Sequence, residues 1–318
     1  RPAMNDDTPL VNVIIPAYNS AWCVAEAIDS ALAQTYPRVE VLVVNDGSTD
    51  DTPRVLDQYG SKIECIYQPN SGLSAARNCG ILASTGEYIV FLDADDRLLP
   101  SMVEKLLPPM LENPACALTY GGHHQIDSSG ERFGQSSLDR PSGRVFETLT
   151  KDGLIQVGAA MVRRASLAQS GLFDPMLRQI EDRDLWMRLA YYHEFVFVPE
   201  YVAEYRSTPG SMSRNWNERR LASELVVRKF ELFAKARNLP TGLVRAFRRS
   251  IFSHHPNQCI QDAFVHYWAG EHKEAARKGL EGVRASPGFL RNRGVVSMIL
   301  RSCLRGARSG KEGSSDGR

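Results

Sequence analysis

The chain has 318 residues, 43% hydrophobic and 24% charged, with a formal net charge of +1. That length can bury a substantial core as one large domain or two moderate ones, and so balanced a charge gives no reason to expect a nucleic-acid partner. No apolar run approaches the roughly 20 residues that cross a bilayer and no signal-peptide core follows the N-terminus. Six cysteines without a CxxC pair suit neither a zinc site nor a disulfide framework, so a reduced, cytoplasmic protein is expected.

Residues 1–9 read as a tail, with Arg1-Pro2-Ala3 before Met4 set aside as a cloning remnant. VNVIIP (11–16) is a β-branched run that predicts a strand, and Ser20 is positioned to cap a helix running to Gln34. VEVLVV (39–44) predicts a second strand and 51–59 a second helix; KIECIYQ (62–68) and 73–83 repeat the pair. YIVFL (88–92) is the fourth strand, and Pro100 is expected at the first position of the helix that follows. Such alternation predicts a doubly wound, mainly parallel α/β sheet. Its continuously apolar strands are covered on both faces, and functional groups gather at their carboxyl ends.

Beyond Cys116 the pattern changes. CALTYGGHHQID (116–127) reads as a strand, SSGERFG (128–134) as a turn, VGAAMVRR (157–164) as a strand, 182–192 as a helix and FVFVP (195–199) as a short strand. An α/β domain over 10–217 is thus followed by a helical region over 218–305 and a tail, 306–318, of disordered composition. Charge divides similarly: residues 219–310 hold 18 Lys/Arg against 6 Asp/Glu, a net of +12, which leaves 20 against 31, a net of −11, elsewhere. An acidic front and a basic back predict different partners. GVVSMILRSCLRGAR (294–308) sets Val296, Ile299, Leu300 and Cys303 on one helical face and Arg301, Arg305 and Arg308 on another. Either it is an interfacial helix drawn to anionic lipid, giving peripheral membrane contact, or a packing helix with a solvated basic face.

The predicted strand ends carry the polar motifs: PAYN (16–19), NDGSTD (45–50), NSGLSAARN (70–78) and DADD (93–96). Asp93, Asp95 and Asp96 leave the core together, and clustered carboxylates raise one another's pKa, so something positive belongs there. Neither GxGxxG nor GxxxxGK[ST] is present, which leaves side chains and a metal to hold a ligand. Hard Mn²⁺ or Mg²⁺ suits carboxylate and phosphate oxygens. Singly, each signal has a plainer reading: helix-capping acids, an Asx-turn at Asp46, a surface helix position for Arg77, edge packing for Tyr18. Their succession on four consecutive strand ends favours one shared site.

Together these stretches resemble the family-2 glycosyltransferases, inverting enzymes of the GT-A fold, over roughly 11–213. The resemblance implies that Pro16, Ala17, Tyr18, Asn19 and Asp46 contact the base and ribose of a nucleotide sugar. It extends that role to Asn70 and Arg77. Asp93 and Asp95 become the DxD pair, with ribose contact and a divalent metal bridging the diphosphate. It also implies a catalytic base in the ED pair of IEDRDLWMRLA (180–190), Asp182 with Glu181 in reserve, since an attacking hydroxyl must lose its proton. The helix N-terminus there favours an ionised carboxylate. Asp184 reads as a helix cap. Trp186 is either a stacking surface for an acceptor sugar or core.

One departure stands out: YRSTPGSMS (205–213) has Thr208 where many members of that family carry a histidine, and Ser211 and Ser213 there either bind phosphate or shape a turn. His123 and His124 are adjacent on a strand, point opposite ways and are read as non-ligands. The expected function is therefore metal-dependent transfer of a sugar, from a UDP-sugar in first place, to a glycan or lipid-linked acceptor in cell-surface polysaccharide synthesis. A non-catalytic nucleotide-sugar-binding subunit is one alternative. A haloacid-dehalogenase-type phosphatase is another, disfavoured because Asp96 follows the DxD and three βα units precede it.

Overall fold

β1 (Val11–Ala17) is buried at every position, as a strand between two helical layers has to be. α1 (Val24–Leu32), β2 (Val39–Asn45), α2 (Thr52–Asp57), β3 (Glu64–Tyr67), α3 (Leu73–Ala83) and β4 (Tyr88–Phe91) complete the predicted alternation. Then come β5 (Arg97–Leu98), α4 (Met102–Glu112), β6 (Cys116–Ile126), β7 (Arg132–Gln135), α5 (Phe146–Lys151), β8 (Ala160–Arg163), α6 (Leu167–Ser170), α7 (Glu181–Tyr192) and β9 (Glu194–Arg206). Four helices end the chain: α8 (Trp216–Ala236), α9 (Thr241–Trp268), α10 (His272–Ala285) and α11 (Arg293–Ser309). The structure, a computed structural model, describes residues 8–152, 155–207, 216–268, 270–285 and 287–309.

The strands form one mixed sheet in the order β3-β2-β1-β4-β8-β6-β9-β5, with β7 on β6. β1 pairs in parallel with β2 and β4, and β2 with β3. β8 is antiparallel to both β4 and β6, β6 and β9 run parallel, and β5 returns antiparallel on β9. Alternate residues of β1 serve the two layers. Val13 and Ile15 pack with Ala27 and Ile28 of α1 and Leu106 of α4. Ile14 faces α3 so closely that a Cβ on Gly80 would stand 2.4 Å from its Cγ2. On that second face Phe91, Phe173 and Trp186 build an edge-to-face aromatic stack, with centroids 5.0 and 6.5 Å apart.

Several local expectations are corrected. Pro100 precedes α4 rather than opening it: the Met102 N–H reaches back to the Leu99 carbonyl, while the Pro100 carbonyl accepts from Thr35 at 2.9 Å. SSGERFG is a turn only to residue 131, after which β7 pairs with β6. Residues 157–159 form a 3₁₀ turn ahead of β8, and FVFVP is the first half of a 13-residue strand.

Two compact units divide after Val244. α8, which sequence grouped with the basic region, therefore belongs to the first. In the second unit Val295, Met298 and Ile299 of α11 are buried with Ile260 and Ala263 of α9 and Ala275 of α10. The apolar face of α11 is thus turned from the one expected, and Leu300 and Leu304 stand 58% and 69% exposed. α11 continues through Ser309, and the rest of the predicted tail lies outside the described residues. Among the described residues no helix is long and apolar enough to cross a membrane.

Candidate functional site

The carboxyl ends of β1, β2, β3 and β4 bring PAYN, NDGSTD, NSGLSAARN and DADD to one edge of the sheet. The first two loops are tied directly. Asn19 adopts a left-handed φ of 49°, which asparagine tolerates, and its N–H donates to Ser48 Oγ at 3.0 Å. Its Oδ1 accepts from the Thr49 N–H at 2.8 Å. Pro16 and Ala17 are buried backbone positions, whereas Tyr18 is exposed.

Asp46 does not make an Asx-turn; it is Asn45 that braces this loop, its Oδ1 accepting from the Ser48 N–H three residues on at 2.9 Å. The buried Asp46 carboxylate instead holds the next loop, accepting from Gln68 Nε2 (2.7 Å), Ser71 N–H (2.8 Å) and Gly72 N–H (2.8 Å). Gly47 makes that approach feasible: at φ 74°, a Cβ there would lie 2.7 Å from the Asn70 nitrogen. Asn70 itself is exposed at the loop crest.

Arg77 is no surface residue. Its side chain is 1% exposed, and the guanidinium joins two motifs: Nη2 donates to Asp93 Oδ1 and Nη1 to Glu181 Oε1, both at 2.5 Å. The group lies over the Phe173 ring, 5.2 Å from its centroid. Burial alone would lower its pKa, but the Asp93 and Glu181 charges outweigh that and hold it above its ordinary value. In this arrangement both arms of the Arg77 guanidinium are engaged by carboxylates.

Asp182 follows on the first turn of α7. The preceding Ile180 sits at φ 54°, ψ 22°, left-handed and costly for a β-branched residue, which turns the chain so that Glu181 and Asp182 emerge beside Arg77. Glu181 is ion-paired with Arg77. The half-buried Asp182 carboxylate accepts from the Arg183 N–H at 2.7 Å. Burial, then the Glu181 charge, pushes its carboxyl up to about 6 against the pull of Arg77. Asp184 is employed structurally, accepting from Arg188 and from Lys229 Nζ of α8 at 2.9 Å. Trp186 is corrected to a core residue: it is 1% exposed and its Nε1–H donates to the Ile155 carbonyl at 3.2 Å, so no ring face is open to a sugar.

At the DxD end, burial and then the Asp93 charge push the Asp95 carboxyl up to about 6. Asp96 is buried and lifted well above the usual carboxylate range by burial, then by Asp95 and Asp93. It accepts from the Arg206 N–H at 2.7 Å and from Gln156 Nε2 at 3.2 Å. Excess negative charge at Asp93 and Asp95 is a hard-oxygen donor set that fits a divalent cation. Among the described residues no group of three or more His, Cys, Asp or Glu side chains is arranged to hold a metal. The protein would thus supply part of a coordination shell, the remainder coming from a ligand or water.

Sequence reasoning passed over Gln156 and Arg206, which contact the acidic turn from 60 and 110 positions away. Gln156 gave no signal beyond a polar side chain in a largely apolar stretch, whereas Arg206 stands second in YRSTPGSMS, where no role was assigned to it. Thr208, Ser211 and Ser213 lie outside the described residues. His123 and His124 sit on β6; burial pushes His123 down to about 4, and His124 stacks on Tyr201 with centroids 4.2 Å apart.

A family model described as "Glycosyl transferase family 2" matches residues 12–171. A Rickettsia prowazekii glycosyltransferase, RP339, is 33% identical over 210 residues, covering 63% of this chain and 64% of that protein's length. The putative teichuronic acid biosynthesis glycosyltransferase TuaG of Bacillus subtilis is 30% identical over 217 residues, covering 67% of this chain and 84% of TuaG. Among solved structures, S. aureus TarS 1–349 in complex with UDP-GlcNAc superposes with a TM-score of 0.60 at 17% identity, covering 96% of this chain and 92% of that one. At that identity the likeness is one of fold.

Proposed function

The chain belongs to glycosyltransferase family 2, and from that premise we propose that it moves a sugar from a nucleotide-sugar donor, a UDP-sugar, to a hydroxyl of a glycan or lipid-linked acceptor with inversion at the anomeric carbon. Family membership leaves the phosphatase reading without support. One observation carries the proposal: Arg77 binds the first DxD aspartate and the first residue of the ED pair at once, so donor-end acids and the base pair form one site.

In this reading Asp182 accepts the proton of the acceptor hydroxyl as that oxygen bonds to the anomeric carbon and the glycosidic oxygen leaves with the nucleoside diphosphate. Glu181, bound to Arg77, orients the turn rather than taking the proton. Asp93 and Asp95 would hold Mn²⁺ or Mg²⁺, which would supply charge stabilisation to the leaving diphosphate. Tyr18, Asn19, Asp46 and Asn70 line the β1–β3 edge where the base and ribose would lie. The UDP-GlcNAc bound by TarS supports a uridine donor, and the name of TuaG supports a cell-surface glycan as acceptor.

Peripheral contact with the inner face of the cell membrane is the corresponding reading of the second unit. Leu300, Arg301 and Leu304 share the exposed side of α11, an apolar and basic mixture suited to anionic lipid. Flotation with phosphatidylglycerol vesicles, but not with phosphatidylcholine vesicles, is the expected result; no flotation with either refutes it.

The decisive experiment for the activity is Asp182→Asn. Transfer should fall by about 10²- to 10⁴-fold while Mn²⁺-dependent UDP binding persists. Turnover comparable to the wild type would remove Asp182 from the role.

A further inference from the structure

Arg206 is the last residue of β9, paired with Ile126 of β6, and its guanidinium is buried. Nε donates to the Asp95 carbonyl at 2.7 Å, and Nη2 to Glu26 Oε2 of α1 at 2.5 Å. Nη1 lies 3.2 and 3.3 Å from the carbonyls of Asp127 and Ser128 in the β6–β7 turn. The Arg206 backbone N–H donates to Asp96 Oδ1 at 2.7 Å. Trp22 covers the guanidinium, its ring centroid 6.0 Å from Cζ.

A planar fork with five N–H groups can serve these divergent acceptors from one position; an ammonium cannot. Two of the bonds fall on the main chain and side chain of the residues that close the acidic turn. Asp93, Asp95 and Asp96 repel one another, and a turn built from them would splay unless something neutral in shape and positive in charge held its backbone. Nothing in the ion-pair pattern requires this for strand pairing, because Arg97–Glu204 and Arg132–Glu204 already tie β9 to β5 and to β7 at 2.8 and 2.6 Å.

We propose that Arg206 is the positioning residue of the donor site: by fixing the Asp95–Asp96 backbone it aims the Asp95 carboxylate at the cation that accompanies a nucleoside diphosphate. The inference rests on the donor reading above. The guanidinium contacts described above are all to protein acceptors and the Trp22 ring. Outer partners of metal-holding side chains typically change metal affinity by about 10- to 100-fold when removed.

The test is calorimetric titration of the full chain with UDP, once with Mn²⁺ and once with EDTA, for the wild type, Arg206→Lys and Glu26→Gln. Arg206→Lys keeps the charge and loses the fork. Its Mn²⁺-dependent UDP affinity should drop by about 10- to 100-fold while its metal-free UDP affinity stays at the wild-type value. Glu26→Gln alters a half-exposed partner and leaves the Asp95 contact in place, so it serves if Arg206→Lys does not fold. It should show a smaller loss with the same restriction to the Mn²⁺ condition. Equal loss in both conditions, or no loss in a folded variant, overturns the positioning role. A wild type that binds UDP no better with Mn²⁺ than with EDTA refutes the donor reading itself, a different result from either.

Discussion

Arg77 and Glu181 lie 104 positions apart in the chain and meet at 2.5 Å, with the other arm of the same guanidinium on Asp93. One buried cation therefore fixes the end of β4 against the start of α7. Taking Arg77 out of water is expensive, and only the two carboxylates and the Phe173 face offset it. Geometry that costs this much to hold is what brings Asp93 of the DADD stretch beside the Glu181-Asp182 pair.

Arg77→Met should accordingly destabilise the fold by about 3–5 kcal/mol, because Glu181 would be left buried without its partner. The double variant Arg77→Met/Glu181→Gln should cost clearly less than the sum of the single changes, since Arg77→Met alone strands the buried Glu181 and Glu181→Gln removes that charge. Urea unfolding of the four proteins measures both quantities. Additive costs would show that the pair contributes nothing jointly.

Asp182 gives a pH dependence of opposite sign for rate and for stability. Burial, then Glu181, lifts its carboxyl up to about 6, against about 3.9 in an unfolded chain. The base works ionised, so transfer should rise through about pH 6 and level off above it. The folded state binds this proton more tightly than the unfolded state does. Stability from that source is present below about pH 4 and lost as pH climbs through about 6. Asp182→Asn should therefore be inactive yet melt higher than the wild type at pH 7, the gap closing toward pH 4. A variant melting lower than the wild type at pH 7 would contradict the shift.

The parallel half of the fold was legible because each strand is a continuous apolar run closed by a polar motif, a pattern that fixes β1 to β4 and the edge where they end. α3 was read to the residue, since Leu73 to Ala83 is bounded by Gly72 and Ser84. Local sequence could not show that Arg77 is buried, because its partners are 16 and 104 positions away. Arg206 stayed hidden for the same reason, its value lying in carbonyls that any residue carries. The turned face of α11 has another cause. Helical periodicity offered Leu300 and Ile299 equally, and only the packing against α9 and α10 chose Ile299.

Trp186→Phe separates the core role from a sugar-stacking one. The indole fills space beside Phe173 and donates to Ile155, so the change should cost about 1–3 kcal/mol through lost volume and an unsatisfied carbonyl. Acceptor KM should not change. A large rise in KM with unaltered stability would return Trp186 to the acceptor surface.

Asp46 ties the β2 end to the β3–α3 loop through three N–H donors shared between two oxygens, Gln68 and Ser71 on Oδ1 and Gly72 on Oδ2. In Asp46→Asn one oxygen survives, and the amide N–H₂ confronts at least one of those donors. The buried unmet donor should cost about 1–3 kcal/mol. Because the loop it releases carries Asn70, the effect should extend to the nucleotide. UDP affinity should weaken by a similar factor with Mn²⁺ and with EDTA, unlike the metal-restricted loss expected at Arg206. Denaturant melts and paired titrations give both numbers. Should Asp46→Asn lose stability but bind UDP like the wild type, the loop would be structural and the base would have to lie elsewhere along the sheet edge.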